Sequence, residues 1–295
     1  MPFDDLPAWI PESVIDATGK RPVHFRVIPN AGGYSNVVRR VVEFSDGTSG
    51  FVKASVSELT AKWIDKEAGL YGMKAPYMLE LLGHASSGLS ESLLVLENAE
   101  GADWPPPWND QRIGLVTDLL EEVRNTPPPK SLHPLENLRV ELPGWELIAD
   151  DPQPFLSLGL ASQSWLEKYL ALFRNASENA ALAGDAFVHF DVRSDNLCFF
   201  RDRACLVDWN WTSIGNADVD QHLWAMTLAN ETGRCHDELL KGAASGHFAF
   251  AVGYWAAHAG LPADEGAPAV RAIQLAILKA NLPWACRLLA FEPPL

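Results

Sequence analysis

Cysteine is scarce in this chain, and cations are outnumbered. Its 295 residues include four cysteines, Cys198, Cys205, Cys235 and Cys286. They form no C-x-x-C pair and no zinc-type spacing, which excludes a disulfide framework and a zinc-binding module. Cys198 and Cys205 would face each other across a hairpin, but buried thiols in a reducing cytoplasm are the expected state. Lys and Arg total 23 against 38 Asp and Glu, a net charge of −15. A field of that sign repels nucleic acid and anionic membrane surfaces and favours a cationic partner. No apolar run approaches the roughly 20 residues that span a bilayer. The acidic opening Met1-Pro2-Phe3-Asp4-Asp5 has no basic region of the kind that begins a secretory signal. Apolar residues make up 47% of the chain and charged residues 21%, which excludes global disorder.

The most informative stretch runs from Val188 to Asp208, V-H-F-D-V-R-S-D-N-L-C-F-F-R-D-R-A-C-L-V-D. An apolar run ends in His189 and Asp191, and Asn196 follows five residues later. A hairpin pattern then leads through the turn Arg201-Asp202-Arg203 to Asp208. Two carboxylates and an amide thus stand at the ends of short strands, where side-chain direction is fixed. The spacing His-x-Asp-x-x-x-x-Asn, followed by a strand-end Asp, matches kinase-like phosphoryl transfer. There one carboxylate takes a hydroxyl proton, while the amide and the other carboxylate hold Mg²⁺. Asp and Asn are also ordinary turn residues, and a lone His189 equally suits a hydrogen-bonded core. The chain upstream must supply the other parts.

Val23 to Pro29 reads as a strand, followed by Asn30-Ala31-Gly32-Gly33-Tyr34-Ser35-Asn36, a second strand, the turn Ser45-Asp46-Gly47-Thr48 and a third strand, Gly50 to Ala54. This layout folds a flap over phosphates, with Ser35 as a hydroxyl donor, although Gly-Gly in a hairpin also serves as a plain turn. Lys53 sits late in an apolar strand, where a lysine is costly unless paired. Ser55-Val56-Ser57-Glu58 has the form of a capping box, and the helix after it is expected to bury Leu59, Trp63, Leu70 and Tyr71. Glu67, four residues from both Trp63 and Tyr71, falls on that face and is placed to pair with Lys53. The competing reading is two snorkelling surface charges. Strand candidates at Tyr77–Leu82 and Ser92–Leu96 complete a sheet of about five antiparallel strands.

The apolar run breaks at Glu97-Asn98-Ala99-Glu100-Gly101, before Trp104-Pro105-Pro106-Pro107-Trp108. A lobe boundary is expected there, dividing an N-terminal lobe, 1–98, from a C-terminal lobe, 99–295. A hinge at this point would offer the Glu97 carbonyl and the Ala99 N–H to an adenine edge. Beyond it the pattern turns helical: about 109–123, then a proline-rich loop over 126–160, then helices near 162–183, 236–259 and 264–290. The fold class read from this is α+β, a small β-rich lobe and a larger helical one.

Taken together, the glycine turn, Lys53, Glu67, the hinge, His189-x-Asp191, Asn196 and Asp208 resemble the aminoglycoside phosphotransferase family of small-molecule kinases, over roughly residues 20 to 290. The resemblance implies a protein-kinase-like fold with ATP and Mg²⁺ in its cleft. It implies Asp191 as catalytic base, Asn196 and Asp208 as metal ligands, and Lys53 and Glu67 as the pair that positions phosphates. Asp220 falls where the family has an acid that braces the catalytic loop. The chain departs from the pattern at Phe190, where the family commonly has Gly, and at Arg193, where it often has His. A fixed cation at Arg193 would reach the γ-phosphate, or else bridge to Asp195 or Asp208. Asp208-Trp209-Asn210 replaces the DFG of protein kinases, so the expected acceptor is a small-molecule hydroxyl, an aminoglycoside or another cationic or sugar-containing antibiotic or metabolite. Asp150, Asp151, Glu231, Asp237 and Glu238 are candidate acceptor-pocket acids. The alternative is a kinase-like module that binds nucleotide or ligand without turnover.

Overall fold

Strand alternation decides which side chains reach which face of the sheet. The computed structural model describes residues 6–28, 36–263 and 270–294. The chain divides into two compact units, one of Met1–Pro105 and Asp195–Asn210, the other of Pro106–Ser194 and Trp211–Leu295. The first unit contains α1 (Trp9–Thr18), β1 (Pro22–Val27), β2 (Val38–Phe44), β3 (Ser49–Ala54), α2 (Glu58–Tyr71), β4 (Leu81–Ser86) and β5 (Ser92–Glu97). The strands form one antiparallel sheet in the order β1-β2-β3-β5-β4. Val42 and Phe44, Val52 and Ala54, and Leu93 and Val95 share one face, which packs with Ile10 and Val14 of α1 in a buried cluster. With a side-chain period of two, Lys53 must then project from the opposite face. Arg39 stands directly opposite Lys53 in the β2–β3 register, so the two cations share that face.

Two sequence expectations for α2 are corrected. Ser57, not Ser55, is the N-cap, and the capping box closes on Thr60 rather than Glu58. Leu59 is 57% exposed and Trp63 36%. Leu70 and Tyr71 are buried as expected, and the rest of the buried stripe is Thr60, Ala61, Ile64, Glu67 and Ala68. Small residues on the inner face carry little hydropathy signal, so the larger outer residues drew the assignment. The expected strand at Tyr77–Leu82 begins later, at Leu81. Tyr77, Met78 and Leu79 are buried ahead of it. Unit one is completed by the hairpin β7 (Leu197–Phe200) and β8 (Arg203–Leu206).

The second unit contains α3 (Asp110–Asn125), α4 (Leu138–Glu141), α5 (Trp145–Asp150), α6 (Gln153–Leu156), α7 (Gln163–Glu178), β6 (Ala186–Val188), β9 (Ser213–Gly215), α8 (Asp218–Thr232), α9 (Ala244–Ala259) and α10 (Val270–Leu288). The proline-rich segment expected as a loop holds α4, α5 and α6, and buries Trp145 and Phe155. Trp145 stacks on Phe173 of α7 at 4.3 Å between ring centroids, and its Nε1–H donates to the Ala249 carbonyl at 2.8 Å. Gly253 is required beside it, because a Cβ there would lie 2.5 Å from the indole. β6 pairs antiparallel with β9, and so fixes the strand end from which His189 and Asp191 emerge. Among the described residues no helix is long and apolar enough to cross a membrane.

A buried histidine pair links α8 to α9. The Lys241 N–H donates to His222 Nε2 at 3.0 Å, the two Nδ1 atoms of His222 and His247 lie 2.6 Å apart, and His247 Nε2 meets the Ala181 carbonyl at 3.0 Å. With Nε2 accepting, His222 must carry its proton on Nδ1 and donate it to His247, whose own proton sits on Nε2. Any added proton breaks a bond in this chain. Burial, aided by His247, holds His222 down at about 4, and burial also lowers His247. A histidine depressed in the folded state gives stability that is present above its unfolded value and lost as pH falls. Urea unfolding from pH 7 to pH 4 is expected to lose on the order of 2 kcal/mol to this pair. His222→Gln, which retains an acceptor for Lys241, is expected to flatten that slope.

Candidate functional site

In the first unit, three charges meet on the α2 face of the sheet. Lys53 Nζ donates to Glu67 Oε2 at 2.6 Å and to Asp208 Oδ1 at 3.1 Å. Lys53 is 5% exposed and Glu67 1%, so this is a buried ion pair and not two surface charges. Burial pushes the ammonium down, but the Glu67 and Asp208 carboxylates outweigh it and leave the pKa above its ordinary value. Burial pushes Glu67 up against the pull of Lys53. Burial likewise lowers Arg39, opposed by Asp208 and Glu67, which places this arginine in the same cluster. Sequence reading missed Arg39, although its position across from Lys53 follows from the hairpin register.

Asn196 and Asp208 come together through the β7–β8 hairpin. Leu197 faces Leu206 in the register, and the Val207 N–H donates to the Asn196 carbonyl at 3.0 Å. Asn196 is buried. Asp208 has φ +64°, a left-handed conformation that is uncommon for a non-glycine residue. Asn210 donates its side-chain amide to Asp208 Oδ1, and Lys66 Nζ donates to the Asn210 carbonyl at 2.7 Å, which ties the turn to α2. Glu97 ends β5, with its N–H on the Glu80 carbonyl at 2.8 Å. Its carboxylate lies 3.0 Å from Arg201 and 3.4 Å from Arg203. Ala99 follows in a turn closed by the Ala102 N–H on its carbonyl. Ser35 lies outside the described residues.

In the second unit the loop around Asp191 is pinned from below. Asp220, on the first turn of α8, accepts the His189 N–H at 2.8 Å and the Phe190 N–H at 2.7 Å, one on each oxygen. Burial pushes this carboxyl up to about 7, the two N–H groups pull it down, and the Asp191 charge adds to the upward shift. His189 is fully buried and its Nδ1 accepts the Asp191 N–H at 3.2 Å, so it orients the loop. Phe190, between them, has φ +68°. Arg193 pairs with Asp191 itself, Nε to Oδ1 at 3.1 Å.

Four of the five acids named as acceptor candidates, all but Asp150, have partners shown here. Glu231 stands in the last turn of α8, where the helix dipole disfavours an anion. It accepts the Trp108 indole N–H at 2.6 Å and the Ser194 hydroxyl. Asp237 pairs with Arg287 at 2.9 Å, Glu238 lies 3.3 Å from His236, and Asp151 caps the Gln153 N–H. Among the described residues, no group of three or more His, Cys, Asp or Glu side chains is placed to hold a metal ion. The side-chain oxygens of Asn196 and Asp208 could hold a cation that completes its shell with phosphate and water, as Mg²⁺ does.

No protein-family model matches the chain, and no curated protein does. Solved structures match over most of its length. Choline kinase LicA from Streptococcus pneumoniae is 12% identical with a TM-score of 0.59, covering 96% of this chain and 98% of that one. An ethanolamine kinase from Plasmodium vivax is 12% identical with a TM-score of 0.56, covering 90% and 84%. An aminoglycoside phosphotransferase from Alicyclobacillus acidocaldarius is 14% identical with a TM-score of 0.55, covering 91% of each chain. At these identities the likeness is one of fold. The chain has the α+β fold of the kinase-like small-molecule phosphotransferases.

Removing the Asp220 carboxylate leaves two backbone N–H groups without their acceptor. Asp220→Ala is therefore expected to cost about 2–4 kcal/mol in denaturant unfolding, and Asp220→Asn, which keeps one acceptor oxygen, about half as much. Equal losses for the two variants would count against the bracing role.

Proposed function

We propose that the chain is an ATP- and Mg²⁺-dependent phosphotransferase acting on a hydroxyl group of a small molecule in the cytoplasm. The observation that carries this reading is the buried Lys53 ammonium, shared between Glu67 and Asp208 on a fold otherwise found in choline, ethanolamine and aminoglycoside kinases. A lysine held charged in this way serves to neutralise nucleotide phosphates. Related structures were obtained with AMP and with ATP, which supports a nucleotide as the donor.

Each residue then has a part. Lys53, kept in place by Glu67, holds the α- and β-phosphates, with Arg39 as a further cation on the same face. Asn196 and Asp208 hold Mg²⁺, which when bound neutralises phosphate charge. Ser35 donates to the phosphates from the glycine turn, and the Glu97 carbonyl and Ala99 N–H take the adenine edge. Asp191 receives the proton of the acceptor hydroxyl. A bond forms between that oxygen and the γ-phosphorus, the bond from the γ-phosphorus to the β–γ bridging oxygen breaks, and ADP leaves. Arg193, paired with Asp191, aims the carboxylate and offers its remaining N–H groups to the transferred phosphoryl.

One observation favours the second reading, a module that binds nucleotide without turnover. Ion pairing of Asp191 with Arg193 weakens the carboxylate as a base. The two readings separate on ADP release across a panel of hydroxylated acceptors. Turnover with at least one acceptor is expected, and Asp191→Ala is expected to lower it about 10²–10⁴-fold. If no acceptor gives Asp191-dependent ADP while ATP with Mg²⁺ still raises the melting temperature, the binding reading stands. Asp208→Ala is expected to abolish the dependence of turnover on Mg²⁺ concentration, and full Mg²⁺-dependent turnover in that variant would remove its assignment as a ligand.

A further inference from the structure

The loop that carries Asp191 is held at its start by Asp220, and the same helix reaches it a second time. Glu231 stands in the last turn of α8 and accepts two hydrogen bonds on one oxygen, Oε2. One comes from the Ser194 hydroxyl and the other, at 2.6 Å, from the Trp108 indole N–H. Ser194 lies three residues beyond Asp191 and is buried. A hydroxyl that donates to a carboxylate makes one of the stronger hydrogen bonds of a protein. All of these residues belong to the second unit.

The spacing along α8 gives the two acids a common direction. Asp220 and Glu231 are eleven positions apart, and at 3.6 residues per turn that is about three turns, or roughly 16 Å of rise. Both carboxylates therefore leave the same side of the helix. Asp220 takes the His189 and Phe190 N–H groups, and Glu231 takes the Ser194 hydroxyl. One rigid element thus grips the loop before and after Asp191. Trp108 steadies the second grip. Its ring meets that of fully buried Trp224, about two turns before Glu231 on α8, with centroids 5.9 Å apart, while its N–H fixes the carboxylate. An anion at this end of a helix opposes the dipole, and the two donors on Oε2 offset that cost.

We propose that Glu231 is a positioning residue for phosphoryl transfer: through Ser194 it fixes the far end of the loop whose near end Asp220 fixes, and so aims Asp191. A segment gripped on one side pivots about that grip. Gripped on both sides, the Asp191 carboxylate keeps one orientation toward the acceptor hydroxyl. So does its ion-pair partner Arg193, 3.1 Å away and next to Ser194 in the chain. In this role Glu231 does not receive a cationic acceptor, and the two roles predict opposite results. The inference rests on the phosphotransferase reading, and its test separates the failure of one from the failure of the other.

ADP release with ATP and Mg²⁺ is measured with an acceptor that gives Asp191-dependent turnover. Ser194→Ala and Glu231→Ala are each expected to lower kcat about ten- to hundredfold, the scale of a reacting group misplaced by about 1 Å. The acceptor KM is expected to stay within about threefold, the pattern of an interaction that serves the transition state. The double variant is expected to lose no more than either single one, because each removes the same bond. Glu231→Gln, whose amide oxygen can take both donors, is expected to keep kcat within about threefold of wild type. Wild-type kcat in Ser194→Ala, losses that multiply in the double variant, or a Glu231→Gln variant whose main change is a raised acceptor KM overturns the proposal. Melting temperatures confirm that each variant is folded, and Ser194→Ala, which removes one oxygen, guards against misfolding of the glutamate variant. If no acceptor gives Asp191-dependent ADP, the phosphotransferase reading fails, and the grip on the loop is judged by amide hydrogen exchange over residues 191–195. Faster exchange in Ser194→Ala and Glu231→Ala, with Glu231→Gln like wild type, supports it, and equal exchange in all four proteins overturns it.

Discussion

A lysine ammonium almost out of reach of water imposes conditions on everything around it. Taking such a charge from water costs several kcal/mol unless carboxylates and hydrogen bonds replace the lost solvation. Lys53 has two carboxylates within 3.1 Å, and each comes from a different part of the chain. β3 directs the lysine away from the apolar face that packs on α1, α2 must lie with Glu67 inward, and the β7–β8 hairpin must deliver Asp208. The details follow from these requirements. Small Ala61 and Ala68 let α2 sit close to the sheet, and Ser57 with Thr60 sets where the helix begins. Lys66 holds the Asn210 carbonyl so that the turn at Asp208 stays in place.

The loop in the second unit is governed by backbone satisfaction. Phe190 at φ +68° adopts a conformation that costs an L-residue roughly 1–2 kcal/mol and glycine almost nothing. That cost explains physically why glycine suits this place between His189 and Asp191. In this chain the side chain is retained against the cluster of Leu135, Leu138, Leu182, Val188 and Phe250, so apolar burial offsets the strain. Asp220 completes the bargain by accepting the N–H groups on both sides of the turn. Strained residues persist where their surroundings over-determine them, and here the strand end, the buried His189 and Asp220 all do so.

Features with a local period were legible in the sequence. Alternation in β3 located Lys53, and the spacing from Asp191 to Asn196 and on to Asp208 defined the hairpin. The exposure of Leu59 and Trp63 was not legible, because Ala and Thr on the inner face of α2 weigh less than a tryptophan outside it. Nor were α4 to α6, since prolines at 143, 152 and 154 read as breaks although each falls at or beside the start of a short helix, where its missing N–H is tolerated. Tertiary pairings lay out of reach. Nothing local links Glu231 to Trp108, 123 residues away. The ion pair of Arg193 with Asp191 spans two residues, yet it depends on the bend of the loop.

The overall charge does not describe the surroundings of any one group. A net charge of −15 acts on a ligand only through charges within about a Debye length, roughly 8–10 Å at physiological salt, and then in proportion to how poorly they are already neutralised. Among the acids that sequence reading set aside for a cation, Glu231 is taken by an indole and a hydroxyl and Asp237 by Arg287. Composition sets the net charge and with it solubility, whereas the charge a local site presents depends on which groups around it are already paired.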